Sequence, residues 1–105
     1  MKDILINMQG GNITPSMASN YRVRLSAIYS TNNERIKQLM SAKAEHYKAN
    51  REVFKSDKAC EMDFLTSDMG KEYTNLLIDQ KSIDKLMTSL NSYLKNAENE
   101  AKNIY

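Results

Sequence analysis

The sequence predicts an all-α fold: an elongated antiparallel helical hairpin or small helical bundle with a long C-terminal heptad helix, assembled as an oligomer. Three observations carry this expectation. Only three glycines and one proline stand in 105 residues, whereas an all-β chain turns about every 8–12 residues. From Met17 to Met40 the apolar residues recur three and four apart, which is the period of a helix face. An unbroken seven-residue repeat then runs from Tyr73 to Ile104.

The elements follow in order. Residues 1–13 read as an N-terminal arm, and 14–105 as a single helical domain. In the arm, Ile4, Leu5, Ile6 and Met8 are apolar before Gly10-Gly11-Asn12 breaks the chain. It is either a frayed tail or a short strand or hook that docks on a neighbouring subunit. Thr14-Pro15 starts the first helix, with Thr14 as N-cap and Pro15 at the first helical position, where its missing N–H is not needed. Met17, Tyr21, Leu25, Ile28, Asn32, Ile36, Leu39 and Met40 follow at helical spacing. Ser30-Thr31-Asn32-Asn33 is a run of four poor helix formers, which favours a break there over a helix that continues through it. Glu34 onward reads as helix to about Lys58, followed by a connection over 59–70 with room for a further helical turn or two. Thr66, Ser67 and Asp68 are successive candidate caps for the last helix, and Asp68 and Glu72 suit the positive end of its dipole.

In the last helix the a positions are Tyr73, Gln80, Met87, Leu94 and Ala101. The d positions are Leu76, Ile83, Leu90, Ala97 and Ile104. Such a seam packs against a partner helix, and Gln80 within it sets register. Leu77, Leu86 and Tyr93 fall at e or g, beyond what a two-stranded contact needs. They favour an oligomer; the alternative is a monomeric bundle in which the first helix covers the extra stripe.

Charge is unevenly spread. Residues 20–58 hold nine Lys or Arg against four Asp or Glu, and residues 59–105 hold five against eight. The split implies an anionic partner on the basic region, or attraction between the two regions. Cys60 is the only cysteine, so no intrachain disulfide forms and an intracellular setting is expected. Ile4-Leu5-Ile6 is too short for the apolar part of a signal peptide, and no run approaches the roughly 20 apolar residues of a membrane span.

Enzyme chemistry finds little material. His46 and Cys60 are single residues fourteen apart, and no ligand pair has zinc spacing. Gly10-Gly11 lacks the Lys-Ser/Thr of a phosphate loop. No enzyme activity, metal or cofactor is expected. The better lead is basic. Lys48, Arg51, Lys55 and Lys58 are spaced three, four and three apart, and on one helix they share a face. Lys43 and Tyr47 lie one turn earlier, and Phe54 adjoins Lys55. Cations with aromatic neighbours are what a single-strand groove offers, with cations on phosphates and rings under bases. The plain alternative is a solvated face, because Glu45, Glu52 and Asp57 interleave with the cations and Tyr47 and Phe54 suit a core.

The order of these features carries a resemblance. A Lys- and Ala-rich helix leads through Lys48-Ala49-Asn50-Arg51 into an aromatic residue. Lys55-Ser56-Asp57, then Phe64-Leu65-Thr66-Ser67-Asp68, then a helix with a leucine-rich seam follow. Over roughly residues 20–96 this resembles the small helical recombination mediators of tailed phages, the UvsY type. The resemblance implies an all-helical, ring-forming homo-oligomer in the cytoplasm of an infected bacterium. It implies a protein that binds single-stranded DNA and helps load a recombinase onto strands coated by a single-strand-binding protein. The family's DNA-binding Lys-Ala-Arg segment maps onto Lys48 and Arg51, with Asn50 as one extra residue between.

The expected function is therefore a single-stranded DNA-binding recombination accessory factor of a phage. Its DNA contacts are Lys43, Tyr47, Lys48, Arg51, Lys55 and Lys58. Its oligomer seam is Leu76, Leu77, Ile83, Leu86, Met87, Leu90, Tyr93 and Leu94. The alternatives are a phage-encoded inhibitor or anti-defence factor that binds a host protein, and a structural coiled-coil component.

Overall fold

The computed structural model describes residues 1–11 and 13–103, with side chains as far as Glu100. The heptad positions Ala101 and Ile104 lie outside the described side chains. The described residues form four helices: α1 (Lys2–Gln9), α2 (Pro15–Asn50), α3 (Asp57–Leu65) and α4 (Asp68–Asn103), with a 3-10 turn at Arg51–Val53. No strand occurs among them. The all-α expectation holds. No described helix is long and apolar enough to cross a membrane.

The chain divides into two compact units. One is Met1–Tyr29 with the residues from Lys81 onward, and the other is Ser30–Gln80. Helices α2 and α4 each contribute residues to both units.

In the first unit, Ile4, Ala18, Tyr21, Leu25, Ile83 and Leu90 form a buried cluster. Met8, Ile13, Met17, Ile28, Leu86, Met87, Tyr93 and Leu94 pack around it. The arm is therefore neither a frayed tail nor a strand. It is helix α1, docked on its own chain through Ile4. Two polar contacts add to the docking: Asn7 Nδ2 donates to Tyr21 Oη at 2.9 Å, and Arg24 Nη2 to Asp3 Oδ2 at 2.7 Å. Gly11, at φ 76°, turns the chain after α1 in a conformation that glycine adopts without strain. Thr14 caps α2 as expected, its Oγ1 accepting from Met17 N–H at 3.1 Å. Ile83, Met87, Leu90 and Leu94 of the predicted seam pack in this cluster, within the chain. Leu86 and Tyr93, beyond the seam, also pack against this cluster within the chain, and Tyr93 Oη donates to the Ile13 carbonyl at 2.5 Å.

In the second unit, Ile36, Leu39, Cys60 and Phe64 are buried, Leu76 is half-buried, and Leu77 is 39% exposed. Two boundaries differ from expectation here. Helix α2 runs unbroken through Asn32-Asn33. Those amides weaken a helix when they bond to their own backbone, but here they are used across the unit. Asn32 Nδ2 donates to Gln80 Oε1 at 3.0 Å, and Gln80 Nε2 donates to Asn33 Oδ1 at 2.8 Å. The other difference is that α2 stops at Asn50 rather than near Lys58. Ser56 is extended, and its Oγ accepts from Ala59 N–H at 3.1 Å, with Asp57 in the first turn of α3. That capped start outweighs continuation of the helix.

Helix α3 ends against the start of α4. Ser67 caps α4, accepting from Gly70 N–H at 3.2 Å. A Cβ at Gly70 would lie 2.7 Å from the Leu65 carbonyl carbon, and closer still to the Phe64 carbonyl oxygen. Only glycine permits that approach.

Candidate nucleic-acid interface

The helix stop at Asn50 disperses the predicted stripe. Lys43, Tyr47 and Lys48 remain on α2, Arg51 lies in the 3-10 turn, Lys55 in the connection, and Lys58 in the first turn of α3. They do not share a helix face. Instead the chain turns a corner, and two of the six residues fasten it. Arg51 Nε donates to Asp57 Oδ1 at 2.5 Å, and Tyr47 Oη donates to the same oxygen at 2.9 Å. Arg51 Nη1 reaches the Phe54 carbonyl at 2.9 Å. The Arg51 guanidinium, then the Tyr47 hydroxyl, hold the Asp57 carboxyl below its ordinary 3.8. The hydrogen bond to Asp57, then burial, hold the Tyr47 hydroxyl above its ordinary 10.0.

Lys43 Nζ pairs with Glu61 at 3.1 Å and lies 5.9 Å from the centroid of the Tyr73 ring. Arg35 makes a two-pronged pair with Glu72, at 2.7 and 2.8 Å. So part of the charge split is attraction between basic α2 and the acidic segments after it. Residues 30–80 together carry eight Lys or Arg and nine Asp or Glu. Lys48, Lys55 and Lys58 are exposed and have no ion-pair partner among the described residues.

A shallow groove of about 540 Å³ lies beside Lys48, lined by Met40, Lys43, Ala44, Glu45, Tyr47, Lys48 and Tyr73. Tyr47 is 43% exposed and Tyr73 half-buried. The groove therefore offers two phenol rings, a methionine and two lysines against one carboxylate. Tyr73 is absent from the residues that the sequence singles out for DNA, because its heptad position assigns it to the seam. Phe54, which the sequence places beside the cations, is half-buried at the corner and does not line the groove.

A smaller pocket of about 160 Å³ brings His46 and Cys60 together with Phe64. The fold closes their fourteen-residue separation because α3 returns along α2. His46 stacks obliquely on Phe64 with centroids 5.7 Å apart. Its Nε2 is 3.1 Å from Asp63 Oδ2, but out of line for a hydrogen bond. Cys60 is 1% exposed, which fits a packed thiol better than a nucleophile open to substrate. No cluster of three metal-ligating side chains occurs among the described residues.

No family model, curated protein or solved structure matches this chain.

Proposed function

We propose that the chain binds single-stranded DNA through its second unit, as a recombination accessory factor. Bases stack in the groove of Tyr47 and Tyr73, and Lys48, Lys55 and Lys58 neutralise phosphates. The observation that carries this reading is the groove itself, where two accessible rings stand beside Lys43 and Lys48. Rings recognise any base through its π face, and lysines follow the backbone whatever the sequence. The accessory role and self-association rest on the resemblance to the UvsY type. Loading of a recombinase onto coated strands and sedimentation at micromolar concentration test those two parts.

The direct test is fluorescence anisotropy with labelled oligothymidine. Three phosphate contacts give log K against log salt a slope of about −2. Tyr73→Ala weakens binding by about 1–3 kcal/mol without altering that slope, because it removes stacking and no charge. Lys48→Ala with Lys55→Ala flattens the slope. No binding at low salt overturns the reading. The second reading, a phage protein that binds and inhibits a host protein, then gains. It is favoured by Met40, Met62 and Met69, which stand exposed on the same unit, since methionine surfaces adapt to protein partners.

A further inference from the structure

We infer that Arg51 and Tyr47 form a phosphate site which Asp57 occupies in the free protein, and that a phosphate of the bound strand displaces the carboxylate. This deepens the proposed function and rests on it. Three features support it. Both donors converge on one oxygen, Asp57 Oδ1. That arrangement is what an anionic phosphate oxygen takes from a guanidinium and a hydroxyl. The guanidinium is held in place independently by its bond to the Phe54 carbonyl, so it stays aimed when its anion changes.

Exposure is the second feature. The Asp57 side chain is 75% exposed and that of Arg51 33%. A pair this open to water is weakly held, and an incoming anion reaches it without opening the core. The third feature is its setting. Lys55 and Lys58 flank Asp57 in the chain, and Tyr47 belongs both to this pair and to the groove. A strand whose base lies on Tyr47 brings a phosphate to the hydroxyl's neighbourhood. The exchange is balanced, since one anion leaves Arg51 as another arrives. The carboxylate passes to solvent at the start of α3, where the helix dipole still favours it.

The test is Asp57→Asn in the full chain, read by oligothymidine anisotropy over a range of salt. Freeing Arg51 tightens binding and steepens the slope by about 0.7. Glu52→Gln is the control. It removes the same charge next to Arg51 in sequence, at an exposed position, and leaves the slope unchanged. In an Arg51→Ala background the gain from Asp57→Asn disappears. An Asp57→Asn protein that stays helical yet binds with the wild-type slope, or more weakly, overturns the inference and leaves the proposed function standing. If neither wild type nor variant binds at low salt, both fall. Should Asp57→Asn lose helicity, the wild-type chain decides. The Arg51 Nε–H resonance moves on adding oligothymidine if the anion exchanges; if it stays while the strand binds, the inference fails.

Discussion

In the first unit α2 and α4 meet through Tyr21, Leu25, Ile83 and Leu90, with Ile4 of α1 closing the cluster. In the second the same two helices meet through the amides of Asn32, Asn33 and Gln80 and through the Arg35–Glu72 pair. The second unit has an apolar core too, built on Ile36, Leu39, Cys60 and Phe64, but Tyr47 and most of its charged side chains are exposed. Burying a leucine or isoleucine side chain contributes about 1.5–3 kcal/mol, whereas ion pairs open to water contribute little. Most of the fully buried apolar side chains lie in the first unit, and the groove proposed for recognition lies in the second.

The strongest way to break this comparison is at Leu90, which is fully buried. Leu90→Ala costs about 2–5 kcal/mol, and Leu90→Asp abolishes folding by burying an unpaired charge. Urea denaturation followed by circular dichroism measures both. A Leu90→Asp chain with wild-type helicity would show that the first unit does not carry the stability.

The second unit has its own weak point in backbone rather than side-chain packing. Gly70→Ala forces a methyl into the Phe64 and Leu65 backbone and destabilises by about 2 kcal/mol or more. This happens although alanine is the better helix former by about 1 kcal/mol. Gly10→Ala is the matched control. Its Cβ finds ordinary 3.6 Å contacts at φ −71°, so it is neutral or slightly stabilising. Equal midpoints for the two variants would remove the close approach of α3 and α4.

The smallest effect concerns Arg35 and Glu72. The hydrogen bond from Arg35 holds the Glu72 carboxyl below its ordinary 4.5. A carboxylate lowered on folding stabilises above its unfolded value, and that contribution is lost as pH falls through the folded one. The stability difference between wild type and Arg35→Ala is therefore present at pH 7 and closes as pH is taken below 4.5. Parallel urea curves at several pH values check this. A difference that is constant with pH would assign the Arg35 effect to packing of its stem.

Much of the fold is legible where local chemistry and long periodicity agree. Thr14-Pro15 and Ser67-Asp68 mark helix starts by capping alone, and Ile83 and Leu90 declare themselves by the heptad. What the sequence misplaces is settled between segments distant in the chain. The amides of Asn32 and Asn33 read as a break until Gln80 is known to face them. Helix α1 spans eight residues, too short to be stable in isolation, and exists because Ile4 has a pocket to enter. At the corner, Val53 and Phe54 are β-prone and Ser56 is a strong cap, a signal that was present but weaker than the surrounding run of helix formers. The candidate site is legible only as a set of residue types. Whether a lysine is free or paired, and whether Tyr73 joins the seam or a groove, depends on what α3 and α4 bring to α2.

The way the two units are drawn from the chain has a kinetic consequence. The second is one continuous segment, and its side-chain ties reach no further than the 48 residues of Asn32–Gln80. The first is composed of two segments, and its Ile13–Tyr93 bond closes a loop of 80 residues. On a chain that leaves the ribosome from its N-terminus, all of the second unit is made before Ile83 or Leu90 is available to cover Leu25 and Tyr21. The unit with the larger buried cluster is thus the last whose residues are complete, and until then Tyr21 and Leu25 of α2 have no α4 residues to meet.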